Sequence, residues 1–197
     1  MFHPLLMVTY GMIAAFTFTY MAIYPISIKI FLLGIVFLLT VLMPGATMYL
    51  MMRKGAIHNM ELTRRHERVV PYLVFTIGML GSAVYLQKMM VPLWLIFPFY
   101  GTCLALILAL IINFFWKISA HAIGVGGFLG GLMGIAHVHL YNPYWMFILL
   151  IIISGLVGTA RLILKRHTPM QVYAGFCLGF ICTFASSLLN YLYLFIK

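Results

Sequence analysis

Aspartate is absent from this 197-residue chain, and its only acids are Glu61 and Glu67. That scarcity argues against an aspartate-rich Mg²⁺ site, a two-metal phosphatase and a pump with a mid-membrane carboxylate relay, each of which needs several carboxylates. Charge of either sign is thin, at 7% of residues against roughly 25% in a soluble domain. Cysteine is informative only by its placement. Cys103, Cys177 and Cys182 are odd in number, lie in apolar runs and form no CxxC or Cys/His spacing. They read as buried small hydrophobes. The first twenty residues carry no basic stretch and no A-x-A site, so they read as a retained helix, not a signal peptide.

What is there is apolar: 65% hydrophobic residues and a mean hydropathy of +1.13. Apolar runs fall at about 5–24, 30–52, 70–87, 92–116, 118–136, 143–164 and 172–196, each near the ~20 residues that a bilayer requires. Backbone in lipid must satisfy its own hydrogen bonds, and no ten-residue alternating barrel pattern occurs. The expected fold is therefore all-α: one polytopic integral membrane helical bundle of six to seven transmembrane helices, residues 1–197 forming a single domain. Pro44-Gly45 and Pro98 are expected to kink or end their helices.

Against two acids stand twelve Lys and Arg, a formal charge of +10. Threading the runs through a membrane puts nine of the twelve on one side: Arg53, Lys54, Arg64, Arg65, Arg68, Lys117, Arg161, Lys165 and Arg166. Two readings of this bias stand together. One is the positive-inside rule, which makes that side cytoplasmic. The other is a polyanion site assembled from three separate junctions. Anionic headgroup or phosphate is the expected counterpart; nucleic acid is not, because no polar module exists to present a groove-binding surface.

The junctions have internal order. The first reads "ELTRRHERVVP"; the second reads "KISAHAIG", with Ser119 and His121 opening a Gly-rich helix; the third has Arg161, five residues, His167, three residues and Gln171. This arrangement resembles the type-2 phosphatidic acid phosphatase and vanadium haloperoxidase superfamily, whose signature is K-x6-R-P, then P-S-G-H, then S-R-x5-H-x3-D. The third part keeps Arg161 and His167, with Ala160 for Ser and Gln171 for Asp. The second keeps Ser119 and His121, with Ile118 for Pro and Ala120 for Gly. The first is the poorest: two valines separate Arg68 from Pro71, and Glu61 stands where the pattern has Lys. The resemblance covers roughly residues 60–190 and includes the 46-residue step from His121 to His167.

The resemblance implies a membrane lipid phosphatase that hydrolyses a phosphomonoester or pyrophosphate through a phospho-histidine, without metal or other cofactor. His167 would be the nucleophile and His121 the acid for the leaving group, with Gln171 in the place of the aspartate that supports the nucleophile. Arg68, Arg161 and the Ser119 hydroxyl would hold the phosphate. Arg64 or Arg65 would supply the charge that the first motif lacks, and Glu67 and Lys117 would give support. The implied partners are a phospholipid or isoprenoid-phosphate substrate and the bilayer itself, and the expected location is a bacterial inner membrane. Arginine forks suit the equatorial oxygens of a phosphoryl transition state.

Gln171 is the departure with the largest chemical consequence. An amide oxygen can accept the Nδ1 proton of a histidine but brings no charge, and a flipped amide imposes the wrong tautomer. A catalytically weakened relative that binds anionic lipid without cleaving it is thus an alternative reading. A rhomboid-like protease, suggested by "AHAIG", and a transporter are others, although Ser154 lacks the first glycine of a G-x-S-G nucleophile. Lys165 and Arg166 read as headgroup anchors, His58 and His66 as solvated loop residues, and His137 and His139 as an H-x-H without a third metal ligand.

Overall fold

In a computed structural model of the chain, residues 3–57, 62, 64–138 and 143–196 are described, with the side chains of 138 and 191–196 left aside. His58, Glu61 and His139 lie outside the described residues. Eight α-helices are described: α1 (Met7–Phe18), α2 (Ile26–Phe37), α3 (Met43–Arg53), α4 (Val69–Lys88), α5 (Leu93–Phe115), α6 (Ala120–Val138), α7 (Tyr144–Ile163) and α8 (Pro169–Ile196). A π-turn at Leu38–Leu42 fuses α2 and α3 into one span. Among the described residues, six helices are long and apolar enough to cross a membrane. The all-α bundle expected from composition is the fold observed.

Two boundaries differ from the sequence reading. The run at 5–24 is not one spanning helix. It breaks at Thr19, an extended residue whose Oγ1 donates to the Ala15 carbonyl at 2.7 Å and accepts from Met21 N, so α1 stops and a 3₁₀ turn follows. Lys29, which falls between the apolar runs 5–24 and 30–52, sits in the first turn of α2 with its Nζ on the Ala22 carbonyl. The prolines act as expected at one position. Pro44 has no N–H to give the preceding turn, and just ahead of it Met43 N bonds the Leu38 carbonyl, five residues back. Pro98 is tolerated inside α5, where the Thr102 hydroxyl donates to its carbonyl at 2.9 Å.

Helix α6 packs most extensively on α8, and its sequence explains why. Gly126, Gly130 and Gly134 recur every four residues on one face. A Cβ at these positions would run into Phe176 O, Phe180 O and the Ser187 side chain. Removing side chains lets two backbones touch, which is how helices associate where lipid removes any hydrophobic drive. Thr183 locks the pair by donating its hydroxyl across to the Gly127 carbonyl at 2.9 Å. On the outside, α7 shows Trp145, Ile148, Leu149, Ile152 and Leu156 to the surroundings, a face made for acyl chains.

The α6–α8 contact generates a stability prediction. Gly130→Val should destabilise the purified protein by about 1–3 kcal/mol, the usual cost of overpacking, lowering its unfolding temperature in detergent. Gly155→Val, where a new Cβ has nothing within 4 Å, is the comparison. Equal behaviour of the two variants would mean that α6 and α8 are not held by backbone contact.

Candidate active site

Three chain junctions meet at one end of the bundle, and cations tie them together through main-chain oxygens. Arg68 is buried. Its Nε donates to the Leu62 carbonyl at 2.9 Å and its Nη1 to the Ile118 carbonyl at 2.6 Å, joining the first junction to the second. Lys117 Nζ donates to the Arg166 carbonyl at 3.0 Å, joining the second to the third. Ser119 N donates to the Gln171 carbonyl at 3.3 Å. Farther out, Arg65 Nη1 reaches the Phe115 carbonyl at 2.8 Å, and Asn113 Nδ2 returns a bond to the Arg65 carbonyl.

The local folding of the third junction follows from its sequence. α7 ends in a Schellman motif: Arg166 N bonds the Arg161 carbonyl, Lys165 N bonds the Leu162 carbonyl, and Lys165 is left-handed at φ 50°. The reversal turns Arg161 and His167 toward the same space. α8 then starts with Thr168-Pro169, proline standing at the first helical position, where its missing N–H costs nothing. Thr168 Oγ1 accepts from Gln171 N at 3.4 Å, and Gln171 Oε1 accepts from Thr168 N at 3.3 Å, a reciprocal capping box.

That box decides the chemistry of His167. Its Nδ1 lies 3.0 Å from Gln171 Oε1. Thr168 N–H is a donor and cannot face the NH₂, so it fixes the oxygen end of the amide beside the ring. Nδ1 must then carry the proton, and Nε2 presents a lone pair. Burial, foremost, lowers the pKa of His167 to about 4; the Gln171 bond raises it, and the cations Arg68, Lys117 and Arg161 lower it. At neutral pH the ring is uncharged. Lys117 is likewise held below the usual lysine range, by burial first and then by Arg68 and Arg166.

Arg68, Lys117, His121, Arg161, Arg166 and His167 all line one cavity of about 600 Å³. Arg161 Nε is buried without a hydrogen-bond partner among the described residues, and a donor in that condition costs free energy until an acceptor arrives. His121 stands in the first turn of α6, where main-chain N–H groups and the helix dipole favour an anion.

Other expected residues lie elsewhere. Ser119 is fully buried off the cavity wall, and its hydroxyl caps α6 by accepting from Ala122 N at 3.4 Å. Arg64 and Arg65 are exposed and do not line the cavity. Glu67 is buried off the wall, with Oε2 accepting from Arg64 N at 3.1 Å, which folds the loop onto itself. Among the described residues no cluster of three or more His, Cys, Asp or Glu could hold a metal ion, and exposed His137 belongs to none.

Two wall residues were not expected. Arg166 lies at the site and not only at the headgroups. His3 enters from the far end of the sequence: its ring stands edge-on to His121, centroids 5.6 Å apart, and its pKa is lowered by burial and then by Arg161. The 3₁₀ turn Pro4–Leu6 seats on Gly124, one turn beyond His121, where a Cβ would meet Pro4 at 3.2 Å. A short N-terminal segment about sixty residues ahead of the first motif offers no spacing signal.

Gln171→Glu keeps the reach of the side chain and adds a charge facing His167. Its carboxylate should raise the pKa of His167 and move the ring's NMR titration upward from about 4 toward the ordinary ~6.5. An unchanged titration would mean that residue 171 does not face the ring.

Compared with protein-family models, curated proteins and solved structures, the chain matches none of them.

Proposed function

We propose that this chain is a metal-independent lipid phosphatase of the inner membrane, hydrolysing a phosphomonoester or pyrophosphate of a membrane-dissolved substrate. The observation that carries this reading is the convergence on one cavity of three guanidinium groups, one ammonium and three imidazoles, those of His3, His121 and His167, with Arg161 Nε left waiting for an acceptor. Among the described residues no carboxylate lines that cavity. An anion with several oxygens is the ligand that such a lining fits, and phosphate in a low-dielectric setting gains most from it.

The reaction follows from the tautomer. His167 Nε2 attacks phosphorus, the bond from phosphorus to the leaving oxygen breaks, and His121 gives that oxygen a proton. His121 then takes a proton from water, the resulting hydroxide attacks phosphorus, and the P–N bond breaks to return the enzyme and inorganic phosphate. Arg68 and Arg161 hold the equatorial oxygens while charge redistributes, which is the larger part of catalysis in phosphoryl transfer. Lys117 and Arg166 add charge at the rim of the cradle. Gln171 supports the nucleophile without a carboxylate. In a serine-protease triad the corresponding amide costs roughly 10⁴ through the wrong tautomer. Here the capping box enforces the right one, and only the charge is missing.

The weaker reading, a relative that binds anionic lipid without turnover, draws on that missing charge. Phosphate release in EDTA from a panel of lipid monophosphates and pyrophosphates separates the two. Activity is expected in the wild type and a loss of more than about 10³-fold in His167→Ala, the scale of losing a nucleophile. If both proteins are inert while still binding the lipids, the chain is a binder. Given activity, the acid limb of kcat/KM should fall near pH 4. The attacking ring must be unprotonated, so rate is lost as pH drops through the lowered pKa of His167. A limb at the ordinary histidine value of ~6.5 would show a group other than His167 in control.

Gln171→Glu should also raise turnover, by about tenfold for the ~1.4 kcal/mol that a charged acceptor adds over a neutral one. Gln171→Leu should lower it by more than that. Equal rates in all three proteins would remove residue 171 from the mechanism.

A further inference from the structure

The cavity does not end at the cations. From His121 its wall runs along a single face of α6 through Gly124, Phe128, Gly131 and Ile135, alternating steps of three and four residues that keep to one side of a helix. The fourteen steps from His121 to Ile135, at 1.5 Å each, make this channel about 21 Å long. Helix α4 supplies the opposite wall below Arg68 with Pro71, Tyr72, Phe75 and Met79, again at helical spacing. Apart from Thr102, Thr183 and the Tyr72 hydroxyl, the described side chains lining the deep part are apolar, Met12, Met48, Leu95 and Phe99 among them.

We infer that this channel holds the single hydrocarbon chain of a phosphorylated amphiphile whose head lies among Arg68, His121, Arg161 and His167. The inference rests on the phosphatase reading for the fate of the head, and on the cavity alone for the chain. The lining keeps to one strip of α6 faced by residues of α4, which suits one chain lying along it. An extended backbone advances roughly 1.2 Å per bond, judging from ~3.5 Å for the three bonds of a residue, so 21 Å takes about seventeen bonds.

Glycine makes the room. Unlike Gly126 and Gly130, Gly127 and Gly131 are not needed for close approach: a Cβ there would meet its neighbours at ordinary contact, 3.5 Å to Thr183 Cγ2 and 3.6 Å to Pro98 Cβ. Their bareness leaves free volume along the channel. Membrane lipid gains nothing hydrophobic by entering such a channel from the bilayer, so its selectivity is one of shape, for one chain over two.

The test uses n-alkylphosphonates from butyl to hexadecyl, which carry the head but no cleavable ester. Their saturable binding to the protein in nanodiscs is measured with empty nanodiscs subtracted. Affinity, referred to phosphonate free in water, should rise roughly fourfold per methylene, equivalent to ~0.8 kcal/mol, until the channel is full and the series levels off. In Gly131→Leu the rise should stop several carbons earlier. The Gly127→Ala/Gly131→Ala double variant, whose added methyls fit the fold, should shift it in the same direction, and Gly155→Leu should match the wild type. A flat series, an unshifted plateau in both channel variants, or two-chain phosphatidate binding as tightly as tetradecylphosphonate would overturn the proposal. Phosphate release from the matching alkyl phosphates is followed in parallel. Length-dependent binding without release would leave the channel standing and end the phosphatase reading; release with no length dependence would do the reverse.

Discussion

The site depends on cations held by main-chain oxygen. With two acids in the whole sequence, the bundle has no stock of carboxylates to fix its arginines, and a carboxylate at the site would also cancel the charge that an anion needs. Arg68 resolves both demands at once. Its Nε and Nη1 are spent on the Leu62 and Ile118 carbonyls, which orient the guanidinium and join two junctions while leaving its charge whole. Lys117 does the same for the third junction through the Arg166 carbonyl. Carbonyl dipoles compensate a buried cation only in part, and the proposed function assigns the remainder to an anionic ligand. Arg68 and Lys117 clamp the junctions and line the cationic cavity at once.

This double use explains which parts were legible in the sequence. Helix number and class follow from apolar runs, because lipid allows few alternatives to a helix. The joint placement of Arg68, His121, Arg161 and His167 on one cavity follows from alternation: junctions an even number of crossings apart emerge on the same side. What could not be read is how each side chain is spent. Ser119 looks like a phosphate ligand, but a serine just ahead of a helix is equally a cap, and the N–H of Ala122 claims it. Arg64 and Arg65 carry the right charge at positions that face outward. His3 was invisible because nothing in its surroundings carries a motif; the packing of Pro4 on Gly124 brings it to His121.

Gln171 shows why a substitution has to be judged with its neighbours. In isolation an amide for a carboxylate exposes the adjacent imidazole to either tautomer. Here Thr168, three residues earlier, supplies both a hydroxyl that caps the Gln171 N–H and a main-chain N–H that only the amide oxygen can accept. The pattern T-x-x-Q is a recognised helix start, so the device was present in the sequence, written in the vocabulary of helix termini and not of active sites. A helix cap and a catalytic orienter need the same thing, a side-chain oxygen with its direction fixed. A residue that does one can do the other at no further cost in conformational entropy.

Helix α6 carries the same economy across its section. One of its faces places Gly126, Gly130 and Gly134 against the backbone of α8, where a side chain has no room. Another places Gly127 and Gly131 beside open volume, where a side chain would fit and is absent. Packing alone accounts for the first set. It cannot account for the second, because an apolar interior closes its voids wherever side chains of the right size are free to do so, and alanine at either position would gain contacts and helix propensity together. A void kept open against both gains, continuous with a cationic end, is unexplained by the fold, and the proposed hydrocarbon occupant would account for it. The stretch from His121 to Ile135 is therefore read most simply as one surface: imidazole for the head, glycine and phenylalanine for what trails behind it.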